Sequence, residues 1–162
     1  MPRRRVFYSF HFDYDVMRVQ LIRNIGAIEE NKPVTANQWE IIKRAGDLAI
    51  KRWINQNMAN CSCLVVLVGQ ETANRYWVQY EIEKAWNDGK GLLGIYIHNL
   101  KCARNGYCYK GSNPFENFTL RDGRKLSSIV KCYNPNSNNA YNDIRYNIED
   151  WIDEAINIRR FT

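Results

Sequence analysis

Histidine is nearly missing from this chain of 162 residues: only His11 and His98 occur. Zinc sites usually combine histidine with closely spaced cysteine pairs. The five cysteines, Cys61, Cys63, Cys102, Cys108 and Cys132, contain no Cys-x-x-Cys pair. No resident metal is expected, and Cys102 with Cys108 is the one loop pair worth checking. Long apolar runs are missing too. None approaches the roughly 20 residues that cross a bilayer. Met1-Pro-Arg-Arg-Arg5 looks like the basic start of a signal peptide, but Val6-Phe-Tyr-Ser-Phe10 is too short and too polar for its hydrophobic region. The reading is a cytoplasmic chain, and the odd number of cysteines agrees with it. Phosphate-cradling loops are absent as well. Gly69-Gln-Glu-Thr72 and Asp88-Gly-Lys-Gly91 match neither GxGxxG nor the Walker pattern, which argues against a dinucleotide site of the usual Rossmann type.

What remains is the composition of a soluble globular protein, 45% hydrophobic and 25% charged. There are no repeats and no linker, so a single domain over residues 1–162 is expected, with residues 1–5 as a basic tail. The formal charge is +6 and the pI about 9.1. Outside Arg3-Arg4-Arg5 the basic residues are scattered among acidic ones, with no Lys/Arg block interleaved with aromatics. Nucleic-acid binding is not signalled, and a positive surface equally suits a small polyphosphate-bearing ligand.

Read in order, Val6–Phe10 is a short buried strand, and Asp13 or Asp15 can cap the helix that follows. Val16, Val19, Ile22 and Ile25 give that helix its apolar stripe, with Arg18, Gln20 and Arg23 on other faces. Residues 29–33 read as a turn and Val34-Thr35 as a very short edge strand. One long helix is expected over residues 37–56. Cys61–Gly69 is the central strand, and Cys61 and Cys63 pack there as small hydrophobes. The next helix runs from about Thr72, its cap, to Asp88, with Gly89 as the stop signal. Residues 91–98 form another buried strand, and residues 99–127 a long irregular loop, a feature often functional in compact domains. Residues 128–133 are the last strand, and Ile144, Ile148, Trp151, Ile152 and Ala155 mark a final amphipathic helix. Strands that alternate with helices predict an α/β sandwich, a mostly parallel sheet of four to five strands covered on both faces.

The chemistry is expected on the helix after the central strand, because such sheets bind ligands beyond the carboxyl ends of their strands. At 100° per residue Val78, Ile82 and Ala85 share the face against the sheet. Glu83 lies roughly 120° from that stripe and should be solvated, whereas Glu81 lies roughly 80° off, one turn beyond Trp77. A carboxylate there is partly shielded by an indole, which raises its pKa and leaves it able to pair with a developing cation. Spacing alone favours a rim glutamate that supports Lys84 or Arg75 over a catalytic one. Ser9, Phe10, His11 and Asp13 end the first strand and should face the same cleft, or else serve as caps and core. Ser9 and His11 make no triad, for no third member is evident.

Several of these segments carry a family resemblance. Arg5-Val-Phe-Tyr-Ser-Phe-His-Phe-Asp13 looks like the first strand of TIR domains, and Trp77-Val-Gln-Tyr-Glu81 matches the W-x-x-x-E pattern of TIR domains that hydrolyse NAD. Phe7–His11, Arg75–Ile82, Lys110-Gly-Ser-Asn-Pro-Phe115 and Gly46–Ile54 together resemble the bacterial TIR-like family that includes ThsB of the Thoeris antiphage system. The resemblance implies a flavodoxin-like sheet, Glu81 as catalytic carboxylate, and NAD as substrate rather than cofactor, cleaved between nicotinamide and ribose. Ser9, Phe10, His11, Asp13 and Trp77 would line the binding site, with Phe10 stacking on a ring and residues 99–127 closing over it. The ADP-ribose part would become a signalling nucleotide, cyclic in Thoeris-type members, that activates an effector during phage infection. A phage protein as trigger and self-association are the further partners implied. The competing reading is a catalytically silent interaction module in which Trp77 and Glu81 are structural.

Overall fold

A computed structural model describes residues 5–25, 29–30, 36–101 and 109–162; the side chains of residues 12–14, 16, 29–30 and 36–39 lie outside the description. Among these residues the strands are β1 (Arg5–Ser9), β2 (Glu29–Glu30), β3 (Cys63–Val68), β4 (Gly91–Tyr96) and β5 (Cys132–Tyr133). The main helices are α1 (Phe12–Arg23), α2 (Ala36–Arg44), α3 (Asp47–Met58), α4 (Tyr76–Asn87) and α5 (Ala140–Arg160). All strand pairs are parallel, in the order β2-β1-β3-β4-β5. This is the flavodoxin-like order. No described helix is long and apolar enough to cross a membrane.

The strands read as continuous apolar runs because both faces of the sheet are covered. Val6, Tyr8, Cys63, Val65 and Leu67 point to one face, where they pack with Val19 and Ile22 of α1 and Ile144, Ile148 and Ile152 of α5. Phe7, Leu64, Val66 and Val68 point to the other and meet Ile50 and Ile54 of α3 and Val78, Ile82 and Ala85 of α4. The result is the expected three-layer sandwich.

Five expectations about local structure change. The helix expected over residues 37–56 is two helices, broken where Gly46 adopts φ 94°, a left-handed conformation that favours glycine. The second strand is Glu29–Glu30, paired with Arg5 and Val6, where a turn was expected. Two acidic residues at a sheet edge show no apolar pattern, so periodicity could not find them. Val34-Thr35, Cys102 and Cys108 lie outside the described residues. Arg5 begins β1 and so is no part of a tail. The last strand is only Cys132–Tyr133, because Leu126–Ser128 forms a 3-10 turn instead. Helix α4 begins at Tyr76 rather than Thr72, whose hydroxyl accepts the Gly69 amide at 2.8 Å.

Residues 109–127 are less of a free loop than their sequence implies. Phe115 and Leu126 are fully buried in the core on the α4 face. Pro114–Asn117 forms a 3-10 turn started by Asn113, whose side chain accepts the Phe115 amide at 2.9 Å.

Candidate active site

The sheet positions the site through a difference in strand length. Ser9, the last residue of β1, pairs with Val66, while β3 continues to Val68. The chain leaves β1 toward β2 on one side and β3 toward β4 on the other. Parallel sheets open a crevice at such a switch point, beyond the carboxyl ends of their strands. Strand alternation turns Ser9, like Phe7, toward the α4 face.

There Ser9 meets Glu81. The Ser9 hydroxyl donates to Glu81 Oε1 at 2.8 Å in a buried contact between residues 72 apart in sequence. Glu81 is only 7% exposed. Burial pushes its carboxyl up to about 8, against the opposing pull of the Ser9 hydrogen bond. The group therefore rests as a neutral acid near pH 7.

The rim-glutamate alternative fails on its own partners. Arg75 is paired with Glu71 at 3.0 Å and Lys84 with Asp88 at 2.7 Å. Glu83 is exposed, as the helix phase requires. One turn before Glu81, half-buried Trp77 sits edge-on between Tyr76, with centroids 4.8 Å apart, and Tyr80, at 5.6 Å. Tyr80 is anchored to α3 by its hydroxyl, which donates to Asn55 at 3.0 Å, and the Lys51 ammonium lies over its ring at 5.7 Å. Tyr76, Trp77 and Tyr80 thus form an aromatic ladder along the start of α4.

Not every expected site residue joins this group. Phe10 has the opposite strand parity to Ser9 and packs against the α1/α5 side, with the Arg23 guanidinium 5.5 Å over its ring. A strand turns successive side chains to opposite faces, so Ser9 and Phe10 cannot both look toward α4. His11 is the residue before α1, and its carbonyl accepts the Asp15 amide at 3.0 Å. Asp13 lies in the first turn of α1, and its side chain is outside the description. No group of potential metal ligands occurs among the described residues.

The sequence reading missed two residues near this edge. Arg18 was placed on an outer helix face and Asp15 was offered as a cap, yet both are 0% exposed and lie 3.6 Å apart. Arg18 Nε donates to the Leu100 carbonyl at 3.1 Å. Burial raises the Asp15 carboxyl to about 6, opposed first by Arg18. The signal that could have found them is an i, i+3 acid–base pair inside an otherwise apolar helix face.

The family model described as the Thoeris protein ThsB, TIR-like domain, matches residues 7–102, more than half of the chain. The chain belongs to the ThsB TIR-like family. A Bacillus cereus (strain MSX-D12) protein named "Putative cyclic ADP-D-ribose synthase ThsB1" is 37% identical over 131 residues, which cover 76% of this chain and 68% of that protein. The family match runs from Phe7 within β1 to beyond β4 and includes Ser9, Trp77 and Glu81.

Proposed function

We propose that this ThsB-family chain cleaves NAD between nicotinamide and ribose and converts the ADP-ribose part into a cyclic signalling nucleotide, with Glu81 as the catalytic carboxylate. The observation that carries the reading is a buried carboxyl at the carboxyl edge of a parallel sheet, held by one hydroxyl and, among the described residues, by no cation. The name of the Bacillus cereus relative supports the same chemistry.

The step is heterolytic. The bond from ribose C1′ to the nicotinamide nitrogen breaks, its electron pair neutralises the pyridinium, and an oxocarbenium-like ribose remains. The substrate is itself cationic at that ring. Its approach favours the ionised form of Glu81, and the carboxylate then stabilises positive charge as it moves onto the ribose. Low local polarity strengthens that interaction. Trp77 shields the site. A nucleophilic atom within ADP-ribose then bonds to C1′ and loses its proton, closing the ring; water in the same place gives linear ADP-ribose. The product would act on an effector in antiphage defence, with a phage protein as the trigger.

The test is nicotinamide release from NAD by the wild type and by Glu81→Gln, with and without lysate from phage-infected cells. Release by the wild type alone supports the reading. No release under either condition, from two folded proteins, would favour an interaction module.

A further inference from the structure

The link between β3 and α4 is gripped from two sides. Asp15 lies so close to Gly69 that a Cβ built there would fall 2.1 Å from its Oδ2. From the other side, a Cβ on Gly111 would fall 2.0 Å from the Gly69 carbonyl oxygen. At position 111 the obstacle is backbone and only glycine fits, whereas a side chain at position 69 would displace the Asp15 carboxylate. The Gly69 amide donates to Thr72 Oγ1 at 2.8 Å, and Thr72 is fully buried. The groups facing the Asp15 carboxylate are Arg18 from its own helix and the Thr72 hydroxyl and Glu71 from the link. Arg18 in turn holds the turn after β4 through the Leu100 carbonyl.

A fully buried ion pair often contributes no more stability than apolar side chains of the same volume, which leaves the geometry it imposes as a reason for its presence. Here that geometry is the start of the helix that carries Glu81. Helix α4 is a stiff three-turn rod, so movement of the link at its start is passed along it to the carboxyl. We propose that Asp15 and Arg18 are a positioning pair: they hold the Gly69–Thr72 link against the Leu100 turn and so set where the Glu81 carboxyl meets Ser9. The proposal rests on Glu81 as the catalytic group, but its test does not need turnover.

Asp15→Asn keeps the shape and removes the charge. Two readouts in the full-length chain decide: amide hydrogen exchange along α4 and α5, and the titration of the Glu81 carboxyl carbon by NMR. The positioning role predicts that exchange at residues 79–82, the first helix-bonded amides of α4, quickens about tenfold more than at residues 144–152, and that the Glu81 titration midpoint moves by about half a unit or more. Uniform quickening with an unmoved midpoint, which is what general loss of stability produces, overturns it. If Asp15→Asn does not fold, Arg18→Lys, which keeps the charge and loses the Nε bond to the Leu100 carbonyl, must give the same two changes at about threefold in exchange. No local change in that variant also overturns the proposal. An active wild type should in addition show a lower kcat with little change in KM in Asp15→Asn. A wild type that releases no nicotinamide counts against the catalytic reading alone, because exchange and titration are read without substrate.

Discussion

Asp15 and Glu81 are both buried near the carboxyl edge of one sheet, on helices that cover its opposite faces, and their surroundings differ: among the described residues neither Asp15 carboxylate oxygen is hydrogen-bonded. Asp15 has a guanidinium 3.6 Å away, a nearby hydroxyl, and a carboxyl raised only to about 6. Glu81 has a single hydroxyl and a carboxyl raised to about 8. Among the described residues it makes no ion pair. The comparison separates two uses of a buried acid. A built-in cation fixes the charge of Asp15 and makes it a fastener. Glu81 has no such cation among the described residues, which leaves its charge open to the cationic nicotinamide ring in the proposed cleavage.

The largest effect expected from this difference is on stability against pH. A carboxyl that titrates at 4.5 unfolded and about 8 folded binds its proton more tightly in the native state. Its contribution is therefore full below pH 4.5 and is lost as pH rises toward 8. At about 1.4 kcal/mol per pH unit, the loss is on the order of 4 kcal/mol. Urea unfolding of the wild type and of Glu81→Gln from pH 5 to pH 8.5 should show the variant gaining steadily on the wild type. Parallel curves would mean that Glu81 is ionised in the resting chain.

Next comes Arg18→Met, which removes the cation from Asp15 and makes the two acids alike. It should cost about 3 kcal/mol at pH 8. The cost should shrink at pH 5, where Asp15 carries its proton. Denaturant midpoints at the two pH values measure both. Ser9→Ala should cost about 1 kcal/mol, the worth of a typical hydrogen bond. It should also move the Glu81 titration upward, since the Ser9 hydroxyl favours the charged form. A downward move in the carboxyl-carbon titration would contradict the role given to Ser9. Smallest is Glu83→Gln, two residues from Glu81 but exposed. Stability should stay within about 0.5 kcal/mol, and nicotinamide release should be nearly unchanged.

Local periodicity was enough to read most of the frame. The apolar run at Cys63–Val68, the helix stripe of Val78, Ile82 and Ala85, and the separation of Glu81 from Glu83 all follow from repeat lengths and appear as expected. The TIR-like motifs then marked Glu81 as the residue to examine. Several misreadings have a different cause, in contacts distant in sequence. Arg18 is buried because the Leu100 carbonyl, 82 residues away, completes its bonding. Phe115 belongs to the core because β4 and α4 offer it a place, although its neighbours in sequence have no period. The placement of Phe10 on the face opposite Ser9 follows from strand alternation and was readable without a structure.

Nicotinamide release at pH 8, where the neutral-acid account leaves about half of Glu81 ionised, tests the central claim most directly. With NAD and infected-cell lysate, the account predicts steady release by the wild type and a loss of about 100-fold or more in Glu81→Gln, the scale of removing a main electrostatic stabiliser. Equal release by both proteins, each shown to be folded, would contradict it.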